Sequence, residues 1–180
     1  MTRRSMGFAI LFSALLIGNA APDSFDRAVG ALSSGSRAVT RGDRVTLVAS
    51  AKALVESGAT PQAGEKDIAR SWLERAHAKV PHATYRDRPL GPGYRTIGLP
   101  RGASAHFDQV FLAGQRARVA VVPLRPARFT MKIVDDAQQN VCDASSPRAL
   151  CDWVPSFTTR FGIEVRNAGS APASFVVVVQ

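Results

Sequence analysis

Residues 160–179 read RFGIEVRNAGSAPASFVVVV, and this stretch holds two strand-like segments separated by a loop. The first segment alternates apolar and charged residues, as a strand with one buried face does. The loop at residues 167–170 contains Asn, Gly and Ser, which are turn-forming residues. The second segment ends in four consecutive valines, which predicts a strand covered on both faces or covered on one face by helices.

The same period of two extends upstream to about residue 94. Predicted strands are residues 94–99, 107–113, 116–124, 129–133, 161–165 and 175–179. Several short strands with turns between them are typical of an antiparallel sandwich or barrel. In the strand at 116–124, Ala117, Val119 and Val121 are expected to face the core. Arg116 and Arg118 are then expected to point the other way.

Residues 23–80 have helical periodicity. A first helix is predicted to begin near Asp23, and a second to run over residues 43–57, with Gly58 as a left-handed cap. For the third helix, Thr60 is predicted as the cap and Pro61 as a residue of the first turn. Three short helices bury little alone, so they are expected to pack on the sandwich, with Trp72 joining the two layers.

The predicted fold class is therefore α+β, a short helical region packed on a C-terminal jelly-roll-like β-sandwich. The predicted organisation is a secretory leader at 1–20, a helical region at 21–80, a Pro/Gly linker at 81–93 and the sandwich at 94–180.

The leader has Arg3 and Arg4 before an uncharged apolar stretch at 6–17, with small residues at 18–20. A cleaved signal peptide is predicted, with an uncleaved anchor as the alternative, and no later stretch is long enough to span a bilayer. The mature protein is expected to be periplasmic or secreted.

The two cysteines, Cys142 and Cys151, are nine positions apart and match no zinc-ligand spacing. In an exported chain they predict a disulfide, with two buried thiols as the alternative.

The net charge is +9, or +7 without the two leader arginines. Most of this positive charge lies between residues 85 and 130, a range that contains eight arginines and two aspartates. The candidate surface for an anionic partner consists of Arg116, Arg118, Arg125 and Arg128. The alternative is an ordinary solvated basic face. Aromatic residues do not alternate with these arginines as a nucleic-acid stacking platform requires, so no nucleic-acid partner is predicted.

No catalytic or cofactor-binding motif is found. His77, His82 and His106 lie outside any nucleophile or metalloprotease pattern. The only metal candidates are four aspartates that could offer oxygen ligands to calcium or serve as solvated turn residues. These are Asp135, Asp136, Asp143 and Asp152. Trp153 beside Cys151 is expected to pack on the disulfide, with a ligand-stacking role as the alternative.

Three stretches carry a family resemblance: FLAGQ at 111–115, the strand at 129–135 that leads to Cys142-Asp143, and CDWVP at 151–155 followed by FGIEVRN at 161–167. Over about residues 93–180 the chain resembles the bacterial pre-peptidase C-terminal-like domain. The resemblance implies a small jelly-roll-type sandwich and the role of an accessory or binding module beside a secreted enzyme. This chain departs from that pattern because about 60 helical residues, not a peptidase, precede the sandwich.

We therefore predict an exported, non-enzymatic interaction module of the cell envelope that engages an anionic polymer or an acidic protein. The alternative is a hydrolase, or an accessory subunit of a secreted hydrolase, with a site assembled from scattered residues. A third hypothesis is a mainly structural envelope protein. The sequence predicts no oligomeric state.

Overall fold

The structure is a computed structural model that describes residues 23–79, 91–147 and 149–180. Three layers stack in the order helices, five-stranded sheet and four-stranded sheet. The helices are α1 (Ser24–Arg41), α2 (Arg44–Glu56) and α3 (Ile68–Arg75). The predicted α+β class is confirmed. The leader at 1–20 and most of the 81–93 linker lie outside the described residues. No helix within the described ranges has the length and apolar character needed to cross a membrane.

Each helix begins after an aspartate whose carboxylate accepts a hydrogen bond from the backbone N–H three residues later. The caps are Asp23, Asp43 and Asp67. Such caps satisfy one of the free N–H groups of the first turn. The helix α1 ends at Gly42, which has a φ of 69°, in the left-handed conformation that glycine adopts without strain. The first two helices therefore begin where the sequence predicts.

The predicted start of the third helix is wrong. Thr60–Pro61 forms a two-residue strand, β1, which pairs in parallel with the start of β2 (Gly93–Leu99). The N–H of Thr60 donates to the carbonyl of Pro92, at 3.0 Å. Gly64 then turns the chain with a φ of 84°, and the helix begins only after Asp67. An aspartate cap and a positive-φ glycine outweigh the Thr-Pro pair that the sequence analysis favoured.

The remaining strands form two sheets. They are β3 (Ser104–Phe111), β4 (Ala117–Pro123), β5 (Phe129–Val134), β6 (Asn140–Ser145), β7 (Ala149–Trp153), β8 (Thr159–Asn167) and β9 (Ala173–Val179). The strand orders are β1-β2-β9-β4-β7 and β3-β8-β5-β6. All pairs except β1 with β2 are antiparallel. The strands β6 and β7 were not predicted, because their short sequences carry little apolar alternation.

The central strands of the five-stranded sheet, β4 and β9, are buried on both faces. On β9, Val177 and Val179 belong to the core between the two sheets. Val176 and Val178 belong to the core that the sheet forms with the helices. This explains the run of four valines and confirms the prediction that β9 is covered on both sides. Trp72 of α3 is buried in the helix–sheet core, where its ring packs on Gly35 of α1.

The disulfide Cys142–Cys151 is present, as predicted. It joins β6 of the four-stranded sheet to β7 of the five-stranded sheet, so it ties the sheets together along one side of the sandwich. Trp153 packs edge-on against Phe111 and Phe161, with ring centroids 5.0 and 5.4 Å apart. Trp153 thus packs in an aromatic cluster of the core between the sheets, and its packing on the disulfide stays a prediction.

Removing both cysteines is expected to lower the free energy of unfolding by about 2.6 kcal/mol, the chain-entropy value for a loop of this length. Chemical denaturation of a Cys142→Ala/Cys151→Ala variant, compared with the oxidised protein, measures this loss. Equal stability of the two proteins would show that the bond adds nothing to the sandwich.

Candidate functional site

A groove lies at one end of the sandwich, between the helical layer and the loops that leave the two sheets. We call it the arginine groove. Its lining residues come from α1 and α3, the end of β2, and the loops that follow β4, β6 and β8. They are Ser36, Val39, Trp72, Arg75, Gly98, Leu99, Pro100, residues 123–129, Ser146, Pro147 and residues 169–174.

Two of the four predicted surface arginines, Arg125 and Arg128, lie in this groove on the β4–β5 loop. This loop is fixed near both ends by backbone hydrogen bonds. The N–H of Leu124 donates to the carbonyl of Ser174, at 2.9 Å, and the carbonyl of Arg128 accepts from the N–H of Ala168, also at 2.9 Å. Prolines at 123 and 126 restrict the backbone further. The backbone that carries these arginines is therefore held in place.

Asn167 holds the neighbouring loop. It is fully buried, and its side-chain amide donates to the carbonyls of Leu99, Pro100 and Ala171. Its side-chain carbonyl oxygen accepts a hydrogen bond from the N–H of Gly169 at 2.9 Å. This asparagine is the last residue of the FGIEVRN stretch, and its part here is to join the end of β2 to the β8–β9 loop beneath the groove.

The charges in the arginine groove have no counter-charges among the residues that the structure describes. Its third arginine, Arg75, comes from the last turn of α3, and the sequence analysis did not assign it to a binding surface. No aspartate or glutamate is among the described lining residues. Across the described ranges, Arg75, Arg125 and Arg128 are exposed and make no ion pair. An anion that enters the groove therefore meets three uncompensated positive charges.

The other two predicted surface arginines are not in the groove, and Arg118 is not on a surface. Only 4% of its side chain is exposed, because α1 covers the face of β4 on which it lies. Its guanidinium donates to Asp23 at 2.6 Å and to Asp26 at 2.5 Å. It also stacks over the ring of Phe25, 4.2 Å from the centroid. Including Arg118 in the partner-binding surface is thus a mistake that the structure corrects.

Arg116 remains more than half exposed, but it is already paired. Its Nε donates to Asp152 at 2.9 Å, and its Nη1 lies 3.9 Å from Asp23. Nε of Arg118 lies 3.6 Å from the same Asp152 carboxylate. Two arginines and three aspartates thus form one cluster that fixes the start of α1 to β4. We call it the α1–β4 ion cluster, consisting of Arg116, Arg118, Asp23, Asp26 and Asp152.

The sequence contains a signal for this cluster. An arginine inside the apolar run of β4 needs a buried partner, and the acidic residues Asp23 and Asp26 lie three positions apart, on one face of α1. Helix periodicity and strand alternation are local patterns and do not show this pairing, because the residues are more than 90 positions apart in sequence.

The α1–β4 ion cluster makes stability depend on pH. A hydrogen bond from the N–H of Asp26, together with the charge of Arg118, holds the pKa of Asp23 below 3.8 despite the opposing effect of burial. The hydrogen bond from Arg116 likewise lowers the pKa of Asp152. A carboxyl group whose pKa is lower in the folded state contributes stability above its unfolded-state pKa. It loses that contribution as the pH falls through the folded-state value.

The free energy of unfolding, measured from about pH 6 down to about pH 2.5, should therefore decrease once the pH is below about 4. This decrease should be smaller for Asp152→Asn. The asparagine cannot be protonated over this range, so one of the linked groups is removed. Identical pH profiles for the two proteins would show that Asp152 does not contribute through its ionised form.

His106 lies beside Ser104 and Glu164 on the outer face of the four-stranded sheet. The hydroxyl of Ser104 donates to Glu164 at 2.8 Å, and Nε2 of His106 lies 3.9 Å from the same oxygen. A nucleophilic serine must donate to its base, which in a triad is the histidine. Here the hydroxyl donates to the carboxylate, and the imidazole is largely exposed. His77 is exposed at the end of α3, and His82 lies outside the described residues.

Each of the four aspartates considered for calcium has its own partner within the protein. Asp135 accepts from the N–H of Gln139, Asp136 from the hydroxyl of Thr159 and Asp143 from the amide of Asn140, while Asp152 belongs to the α1–β4 ion cluster. In the described part of the chain, no group of three or more His, Cys, Asp or Glu residues is placed to hold a metal ion.

Comparison with known proteins gives partial structural likeness only. No family model and no curated protein matches the chain. A periplasmic inhibitor of g-type lysozyme from Aeromonas hydrophila matches 49% of this chain and 86% of its own, with 14% identity and a TM-score of 0.40. The pre-peptidase C-terminal domain of a collagenase from Bacillus anthracis matches 47% of this chain and 87% of its own, with 10% identity and a TM-score of 0.38. No family model assigns the chain to the pre-peptidase C-terminal-like family.

Proposed function

We propose that this protein is an exported, non-enzymatic binding module whose partner is anionic and binds in the arginine groove. The observation that carries the proposal is the convergence of Arg75, Arg125 and Arg128 on one groove that has no acidic lining residue among those described. The leader predicted at 1–20 and the disulfide support export.

Two features of the groove favour binding over an incidental basic patch. The arginines come from separate elements, since Arg75 ends α3 while Arg125 and Arg128 lie on the β4–β5 loop. The loop is fixed at both ends and restricted by prolines, so less conformational entropy is lost when a ligand binds. The arginines in the α1–β4 ion cluster are excluded from this surface, because the protein's own carboxylates occupy them.

The charge-reversed variant Arg125→Glu/Arg128→Glu is expected to bind anionic partners at least about tenfold more weakly and to keep the stability of the original protein. Both side chains are exposed and unpaired within the described residues, so their replacement removes no hydrogen bond or ion pair with those residues. Affinities for poly-L-glutamate, polygalacturonate and linear polyphosphate, each at low and moderate salt, test this expectation, since salt screens exposed charges.

The matched control is Arg44→Glu/Lys52→Glu. It changes the net charge by the same amount on α2, which does not line the groove. It should bind nearly as well as the original protein. Equal weakening of polymer binding by the two variants would show that the loss of affinity depends on net charge alone. No binding of any of the three polymers would overturn the proposed function.

A further inference from the structure

We infer that the arginine groove takes an extended polypeptide segment that combines acidic and apolar residues, and not an anionic glycan. This inference rests on the proposed function of the same groove and names the chemical class of the partner.

The apolar part of the lining separates the two classes of ligand. Sugar rings are commonly held by stacking on exposed aromatic faces. Both aromatic residues of the groove are buried, Trp72 with 6% and Phe129 with 1% of its surface exposed. The accessible apolar lining consists of aliphatic residues and prolines instead. It includes Val39, Leu124, Ala127, Pro100, Pro126 and Pro172. Such a surface suits the aliphatic side chains of a peptide, which gain free energy from burial.

The charged part of the lining favours a partner with negative charge. Three arginines with no acidic residue among the described lining attract carboxylates, and a guanidinium can hold a carboxylate with two parallel hydrogen bonds. Aspartate and glutamate side chains spaced along a peptide supply these groups. Because the arginines stand on two sides of the groove, one on α3 and two on the β4–β5 loop, a segment that runs along it can reach all of them.

The groove has lining residues from all three layers of the fold, and an extended chain can contact each of them in turn. The groove starts at Ser36 and Trp72 in the helical layer, passes the end of the five-stranded sheet, and reaches Ser146 and Pro147 after β6 of the other sheet. It therefore crosses all three layers of the fold. An extended chain of about ten residues spans roughly 33 Å, which is the scale of a small domain.

Two selections on the full mature protein test the inference: a display library of random peptides of about ten residues, and an array of anionic glycans. The expected peptides contain Asp or Glu together with Leu, Val, Ile or Pro. For a selected peptide, replacing its acidic residues or its apolar residues by alanine should each weaken binding at least about fivefold. Binding should also fall at least about tenfold for Arg125→Glu/Arg128→Glu and stay near its original value for Arg44→Glu/Lys52→Glu.

The possible results separate this inference from the proposed function. Glycan binding that depends on Arg125 and Arg128, without enrichment of peptides, would overturn the assignment of the partner as a polypeptide. It would still support an anionic partner in the arginine groove. Peptides that bind through charge alone, with no loss when their apolar residues are replaced, would also overturn it. If neither library yields a ligand that depends on these arginines, both the inference and the proposed function fail.

Discussion

Replacing Arg118 with alanine is expected to lower the free energy of unfolding by about 3 to 4 kcal/mol. The change removes two charge-assisted hydrogen bonds, to Asp23 and Asp26, each worth about 1.5–3 kcal/mol when formed by charged groups. It also removes the contact of the guanidinium with Phe25 and the packing of the aliphatic stem under α1. The two aspartates are about half exposed, so water solvates them in the variant, and this keeps the loss below the sum of the separate contributions. Urea denaturation measures the difference.

The matched control is Arg160→Ala. Arg160 is also a strand arginine paired with an aspartate, Asp108, at 3.6 Å, but both side chains are more than half exposed. An exposed pair of this kind contributes at most about 1 kcal/mol, so the control should lose no more than that. Losses of similar size in the two variants would show that α1 is not fixed to β4 through a buried charge.

Replacing Gly35 with alanine is expected to cost about 3 kcal/mol. Gly35 is buried in α1, and a β-carbon at this position would overlap three atoms of the Trp72 ring. Trp72 is itself buried in the core between the helices and the sheet, so its ring has little space into which to move. Overpacking a core commonly costs about 1–3 kcal/mol, and a direct overlap with a tryptophan lies at the upper end. Thermal and urea unfolding measure the loss.

Two further variants separate this steric cause from helix propensity. Gly30→Ala lies in the same helix, where nothing is within 4 Å of the added carbon, and it should stabilise the protein by about 0.5–1 kcal/mol. In a Trp72→Leu background the cost of Gly35→Ala should fall below about 1 kcal/mol, because the overlapping ring is gone. A cost that stays the same in that background would mean that another contact is responsible.

The sequence predicted the sandwich because its central strands are both apolar and alternating. The strands β5, β8 and β9 lie where the period of two places them. The strands β6 and β7 were missed because their pairing depends on neighbouring strands and on the disulfide, and none of this appears in local alternation. The predicted start of the third helix is too early. Thr60-Pro61 is a favourable helix start locally, but these residues pair with a strand that begins 33 residues later, at Gly93.

The candidate site was only half predictable, because strand alternation tells which residues share a face but not what covers that face. Arg118 alternates with core residues as a solvent-facing residue would, yet α1 covers it. Conversely, Arg75 lies far from the β4–β5 loop in sequence, and only the packing of α3 beside that loop brings it into the groove. Arg125 and Arg128 could be predicted because they lie in a proline-flanked loop, and such segments usually run over the surface.

Arginine-specific labelling with a dicarbonyl reagent, read out residue by residue by mass spectrometry with and without poly-L-glutamate, shows directly which arginines a bound anion covers. Arg118 should react slowly in the free folded protein, because it is buried and paired. We predict that the polymer protects Arg75, Arg125 and Arg128, while Arg44 and Arg160 keep their reactivity. Protection spread evenly over all exposed arginines, or confined to arginines outside the groove, would contradict the account.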